Sequence, residues 1–342
     1  MSKPRTLLKN NNRAFLLAFL IVIFAVTSWY TGDFFGYQRL VELYYPGIEN
    51  FHLEKVYEYI IQFTKNNYLL FRIVIWGGAT LCYVQTVKIL KINLLMALFI
   101  MFLLFTTTFC YARATLAMGV YFLGLSLLME GRNSHKVKYV IMGAAILISS
   151  YFFHKSLATL IIITTFYFIP LNRKTIIPVI LTIIIIGYGI DSLINSFQNV
   201  LIGIGDEQLV DKIEQSREVF ASRQSKSATF FGWVSIIWGY MPYYLSFYFI
   251  SKEMLEKSGH PNTMKGLYRI TFAIMLLSIV LLFFSAQSIT YFYRYLYMSF
   301  IPISILIVYL FTKGYFNMSK YKTIIYVCGG YNLWFFFSYL LR

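Results

Sequence analysis

The sequence predicts an all-α fold: a polytopic integral membrane protein with about 11 transmembrane helices. Three features predict it. Of the 342 residues, 58% are apolar and 13% charged, roughly half the ~25% charge of an ordinary soluble domain, and mean hydropathy is +0.64. The apolar residues form runs of about 16 to 22, long enough to cross ~30 Å of hydrocarbon at 1.5 Å per residue. Backbone groups in lipid must be satisfied internally, so such runs are helices. Finally, the basic residues gather on one side when the runs are threaded in order.

In chain order the runs fall at 14–30, 68–87, 92–110, 114–129, 138–153, 156–171, 175–190, 228–250, 268–289, 295–312 and 323–341. The first follows a basic N-terminus but has no small-x-small cleavage motif after Trp29-Tyr30, so it reads as a retained span. With the N-terminus cytoplasmic, the inner segments hold 18 of the 30 basic residues and only 3 acids, Glu130, Glu253 and Glu256. The net charge of +16 is thus the positive-inside pattern, and no nucleic-acid partner is needed to explain it. An odd number of spans leaves Arg342 outside.

The inner loops are too short for a folded catalytic domain, so residues 1–342 read as a single membrane domain. Two outer segments are longer, 31–67 and 191–227. Leu53, Val56, Tyr57, Ile60 and Ile61 recur at helical spacing in the first. Leu209, Val210, Ile213, Val219 and Phe220 do so in the second, after a plausible N-cap at Asp206. Both segments read as amphipathic helices on the outer membrane face. The three cysteines, Cys82, Cys110 and Cys328, lie in apolar runs and offer no disulfide framework. CxxC, HExxH, P-loop and GxSxG motifs are absent, so no metal and no cofactor is expected.

An ionisable residue in or beside a span needs a reason. The outer set holds Asp33, Arg72, Arg113, His154 and Arg294, with Arg217 and Arg223 in the second long loop. Arginine suits phosphate, because its planar fork makes bidentate charge-assisted hydrogen bonds and stays charged when dehydrated. Several arginines on one cavity would hold a pyrophosphate; each alone is equally a snorkelling side chain at the lipid headgroups. His154 can take a proton from a hydroxyl, or can simply be satisfied by packing at a span end. Asp33 can be a base, an arginine partner or a helix N-cap. Glu54 and Tyr57, one helical turn apart, either line a sugar site or form the wet side of an interfacial helix. Tyr291 and Tyr293 beside Arg294 either stack on sugar rings or belong to an aromatic belt. Cys110 reads as an inert buried thiol, and His52, His135 and His260 show no constellation.

Taken together, these residues resemble the EpsG-like branch of the Wzy-type bacterial polysaccharide polymerases. The resemblance is carried by Gly32-Asp33 with Tyr37, by Glu54-x-x-Tyr57-x-x-Ile60, by Arg113-x-x-Leu116-Ala117, by Phe153-His154-Lys155-Ser156 and by the aromatic segment around Arg294. Where the family often has Gln after the first arginine, this chain has Ala114, so no amide role is carried over there. The resemblance implies a fold similar to GT-C-type membrane glycosyltransferases in the bacterial cytoplasmic membrane. It also implies a metal-independent reaction on undecaprenyl-pyrophosphate-linked oligosaccharides. A chain-length regulator and a flippase are further candidate partners, beside the membrane lipids.

The expected activity is polymerisation of repeat units at the outer face by direct displacement, with inversion at the anomeric carbon. Arg113, Arg223 and Arg294 would hold pyrophosphate, with Arg217 a weaker candidate, and His154 or Asp33 would be the base. Tyr37, Glu54, Tyr57, Tyr291 and Tyr293 are the sugar candidates. An O-antigen ligase-like lipid-to-lipid transferase, or a transporter or flippase for the same lipid-linked sugar, are the alternatives. A repeat of two broken halves would favour transport, and none is visible in the sequence.

Overall fold

The computed structural model describes residues 4–27, 32–46, 54–105, 112–154, 157–172, 174–186, 240–256, 259–284 and 295–330. These residues are helical, with no strand among them. In order they form α1 (Pro4–Thr27), α2 (Gly32–Glu42), α3 (Lys55–Phe63), α4 (Tyr68–Ile89), α5 (Leu94–Phe105), α6 (Ala112–Asn133), α7 (Val137–Phe153) and α8 (Leu157–Ile163). A 3-10 turn, Thr164–Phe168, continues α8. Then come α9 (Ile176–Ile186), α10 (Met241–Glu256), α11 (Asn262–Phe284), α12 (Phe300–Thr312) and α13 (Met318–Thr323), the last running into a π-helical turn, Ile324–Gly329.

Among the described residues, four helices are long and apolar enough to cross a membrane: Tyr68–Ile89, Arg113–Asn133, Asn262–Leu281 and Tyr295–Thr312. Shorter apolar helices flank them, among them Asn12–Thr27, Val137–Phe153 and Ile176–Ile186. The outer face of the bundle is itself apolar. On α1, Phe15, Leu16, Phe19, Leu20 and Ile23 are exposed while Ala14, Ile21 and Ala25 are buried. Leu81, Ile141, Ile148 and Ile185 are likewise exposed on α4, α7 and α9. Water would not tolerate so much apolar surface; lipid does, and this is a membrane protein.

Helix ends follow local chemistry rather than the limits of the apolar runs. Asn67 caps α4 by accepting from the Leu70 amide at 3.0 Å. Lys91 (φ 57°) and His135 (φ 55°) adopt left-handed conformations that turn the chain after α4 and α6. α1 starts ten residues before its apolar run, at Pro4, and α6 extends past its run through Glu130 and Arg132 to Asn133. A helix continues into water when nothing stops it, so hydropathy alone misplaces its ends.

Close backbone packing joins α6 to α7. A Cβ on Gly124 would sit 2.5 Å from the Leu147 backbone nitrogen, and one on Gly143 would sit 2.5 Å from that of Leu128. The two backbones therefore meet where both helices lack a side chain, as in other small-residue crossings in membranes. This crossing fixes where α7 ends relative to where α6 begins, and both of those ends carry functional candidates.

One end of the bundle gathers the close of α1, α2 and α3, the starts of α4 and α6, and the close of α7. The opposite end is charged. Lys91 pairs with Glu130 at 3.2 Å, Arg132 lies 4.6 Å from the Phe168 ring centroid, and Lys320 bonds the buried Glu253. His260, which shows no constellation in sequence, is buried there, with Nδ1 3.0 Å from the Tyr309 hydroxyl and Nε2 3.2 Å from the Glu253 carbonyl.

Candidate functional site

Glu54 stands at the N-cap of α3, in extended conformation (φ −64°, ψ 142°), yet its carboxylate makes no capping bond. Glutamate is not a favoured N-cap, so the helix does not require it. Its two oxygens go elsewhere. Oε2 accepts from Arg113 Nη1 at 3.0 Å, and Oε1 lies 4.0 Å from His154 Nδ1. One carboxylate from α3 thus bridges the first turn of α6 and the residue that closes α7.

Arg113 is an unlikely choice for helix α6 on local grounds, because a cation in the first turn opposes the helix dipole by about 0.3–1 kcal/mol. Its surroundings compensate. Nε donates to the Tyr37 hydroxyl of α2, and the guanidinium carbon lies 5.2 Å from the Tyr37 ring centroid. The Tyr57 hydroxyl of α3 donates to the Arg113 carbonyl at 2.9 Å, fixing the backbone that carries the side chain. Two of the five guanidinium donors are therefore engaged among the described residues, and three, including both on Nη2, make no hydrogen bond there. The side chains of Arg113, Glu54 and His154 are 26%, 13% and 15% exposed, a shielded but open setting in which such pairs are screened less than at a free surface.

His154 closes α7 with its amide bonded to the Ser150 carbonyl at 3.2 Å, and its own carbonyl accepts from Leu157 at 2.9 Å. The helix breaks there (φ −161°, ψ 116°), which carries the imidazole towards Glu54. Tyr57 is fully buried, so it lies on the packed side of α3 rather than on a wet one. Burial, reinforced by the Glu54 carboxylate, pushes its phenol well above the ordinary tyrosine value, and it stays a neutral donor.

The structure thus brings together Tyr37, Glu54, Tyr57, Arg113 and His154. Asp33 falls in the first turn of α2, but its side chain lies outside the described residues. Arg217, Arg223, Tyr291, Tyr293 and Arg294 lie outside them as well, as does the segment 191–227. Arg72 is placed differently from Arg113. It is buried and bonds the carbonyls of Ala25 and Val26, where α1 ends, and the Tyr68 hydroxyl. In the sequence alone Glu54 is a sugar candidate with no charge partner. The signal was available only as a carboxylate among cations at one membrane level. Among the described residues no group of three or more His, Cys, Asp or Glu side chains is placed to share a metal ion.

No curated protein and no solved structure matches the chain. A family model described as the EpsG family matches residues 12–341, nearly its whole length, and the chain belongs to that family.

Proposed function

We propose that this protein is a glycosyltransferase that joins oligosaccharide repeat units carried on undecaprenyl pyrophosphate into a polysaccharide. The observation that carries the reading is the Arg113–Glu54–His154 bridge. It sets an anion-binding guanidinium and a proton acceptor on the two oxygens of one carboxylate. Membership of the EpsG family supports it. In this reading the chain crosses the cytoplasmic membrane eleven times, and its basic inner loops place the bridge at the outer face.

The acceptor hydroxyl oxygen attacks the anomeric carbon of the donor. The bond from that carbon to the pyrophosphate oxygen breaks, and its electron pair leaves with the pyrophosphate. The hydroxyl proton passes to His154. Direct displacement inverts the anomeric carbon. Arg113 meets the charge growing on the leaving group with its three open donors, positioned in advance so that little reorganisation is needed. Arg223 and Arg294 complete the cradle, with Arg217 a weaker contributor. Glu54 holds Arg113 in place and stabilises the imidazolium that forms as His154 takes the proton. His154 is preferred over Asp33 as base because it stands beside that carboxylate.

The test is in cells. Arg113→Ala and His154→Ala variants, matched for membrane level, are expected to lose the polysaccharide ladder on a gel and to accumulate single repeat units on lipid. Full-length ladders from both variants would refute the assignment. Polymer that forms but stays on undecaprenyl in a deletion strain would instead indicate a ligase.

A further inference from the structure

α2 has two working faces. Tyr37 reaches Arg113 on one of them. On the other, Phe34, Gln38 and Glu42, spaced i, i+4 and i+8, line a cavity of about 530 Å³. That volume lies within the ~300–1,000 Å³ of small-molecule sites. The turn from α3 to α4 and Arg72 form its opposite side.

The polar groups in this cavity alternate between donors and acceptors with spare capacity. Gln38 spends one amide hydrogen on Glu42 at 2.9 Å, leaving its oxygen, its other hydrogen and the second Glu42 oxygen. Asn67 spends its oxygen on capping α4 and keeps both amide hydrogens. Asn66 donates once, to the Tyr44 carbonyl, and keeps its oxygen. Two successive left-handed residues, Lys65 (φ 51°) and Asn66 (φ 58°), make this turn, where a single one suffices after α4 and after α6. Such conformations are disfavoured for non-glycine residues and gather at ligand clamps.

The lining carries two cations, Arg72 and Lys65, and one acid, Glu42, a small net charge that does not mark a dianion site. Arg72 is tied to the α1 carbonyls and to Tyr68, with its guanidinium carbon 4.7 Å from the Phe34 ring centroid. Lys65 is offset by Glu42 on the same cavity. What remains is neutral amides, a carboxylate acceptor and two aromatic rings, Phe34 and Tyr68, packed edge to face. A ligand dense in hydroxyls and with apolar C–H faces matches this set; a dianion does not.

We propose that this cavity binds saccharide, and that it seats the sugar of the acceptor unit while Arg113, across α2, holds the pyrophosphate of the donor. The assignment of the sugar to the acceptor rests on the polymerase reading above. The test uses full-length protein in lipid nanodiscs and the repeat-unit oligosaccharide freed from the host's lipid-linked pool by mild acid. Binding is followed by saturation-transfer NMR and titration. The Asn67→Asp, Glu42→Gln double variant keeps the α4 cap oxygen and the side-chain shapes while altering the hydrogen-bonding set. It is expected to weaken oligosaccharide binding about tenfold or more, one or two hydrogen bonds' worth.

Unchanged binding in a folded double variant, or no binding to the wild-type protein, would overturn the proposal. So would native mass spectrometry showing a phospholipid, and no oligosaccharide, lost with the double variant: the cavity would then seat a lipid headgroup. If oligosaccharide binds as expected but Arg113→Ala and His154→Ala cells both still make full polymer, the polymerase assignment fails while the saccharide site stands.

Discussion

Replacing Glu54 with Gln tests the bridge most directly, because the shape is kept and the charge removed. In the native protein a positive imidazolium at His154 would lie 4.0 Å from the Glu54 carboxylate. Two unit charges at that separation interact by about 4 kcal/mol at an effective dielectric near 20. Only part of that charge exists in the transition state, and the site is partly open to water. A loss of about 1.5–3 kcal/mol is therefore expected, or roughly 10- to 150-fold in kcat. The same change acts oppositely on binding. Freed from its carboxylate partner at 3.0 Å, Arg113 has more charge to offer an anion. KM for the lipid-linked donor is thus expected to stay level or fall, whereas a general loss of structure would raise it. The assay is in vitro polymerisation by purified protein in nanodiscs, varying the donor and counting active enzyme. A kcat within twofold of wild type, or a raised KM at unchanged kcat, would show that Glu54 does not couple the two groups.

Two further substitutions test the scaffold. Gly124→Ala should destabilise the protein by about 1–3 kcal/mol, because the new Cβ would meet the Leu147 backbone at 2.5 Å and the α6–α7 crossing has no slack. Gly77→Ala, with nothing within 4 Å, is the control and should leave the thermal midpoint in detergent unchanged or slightly raised. Arg72→Lys should not rescue what Arg72→Met loses. A single ammonium cannot reproduce a fork spanning the carbonyls of Ala25 and Val26 and the Tyr68 hydroxyl. Equal thermal stability of Arg72→Lys and wild type would show that charge alone matters there.

What was legible in the sequence was whatever depends on neighbours along the chain. Apolar runs at 68–87 and 138–153 became α4 (Tyr68–Ile89) and α7 (Val137–Phe153), because backbone hydrogen bonding and lipid leave such runs one solution. The spacing of Val56, Tyr57, Ile60 and Ile61 marked the face of α3, on which Tyr57 and Ile61 are buried. Arg113 and His154 stood out because an ionisable group beside a span is costly wherever it points. The tertiary structure decided the rest. The 59 positions between Glu54 and Arg113 close into an ion pair only because α3 lies across the start of α6. His154 joins them because Gly124, Gly131 and Gly143 let α6 and α7 touch. Arg72 and Arg113 look alike in sequence, yet one is consumed in capping α1 and the other keeps donors to spare. Hydropathy and spacing describe one helix at a time, whereas a binding site is made where several helices end together.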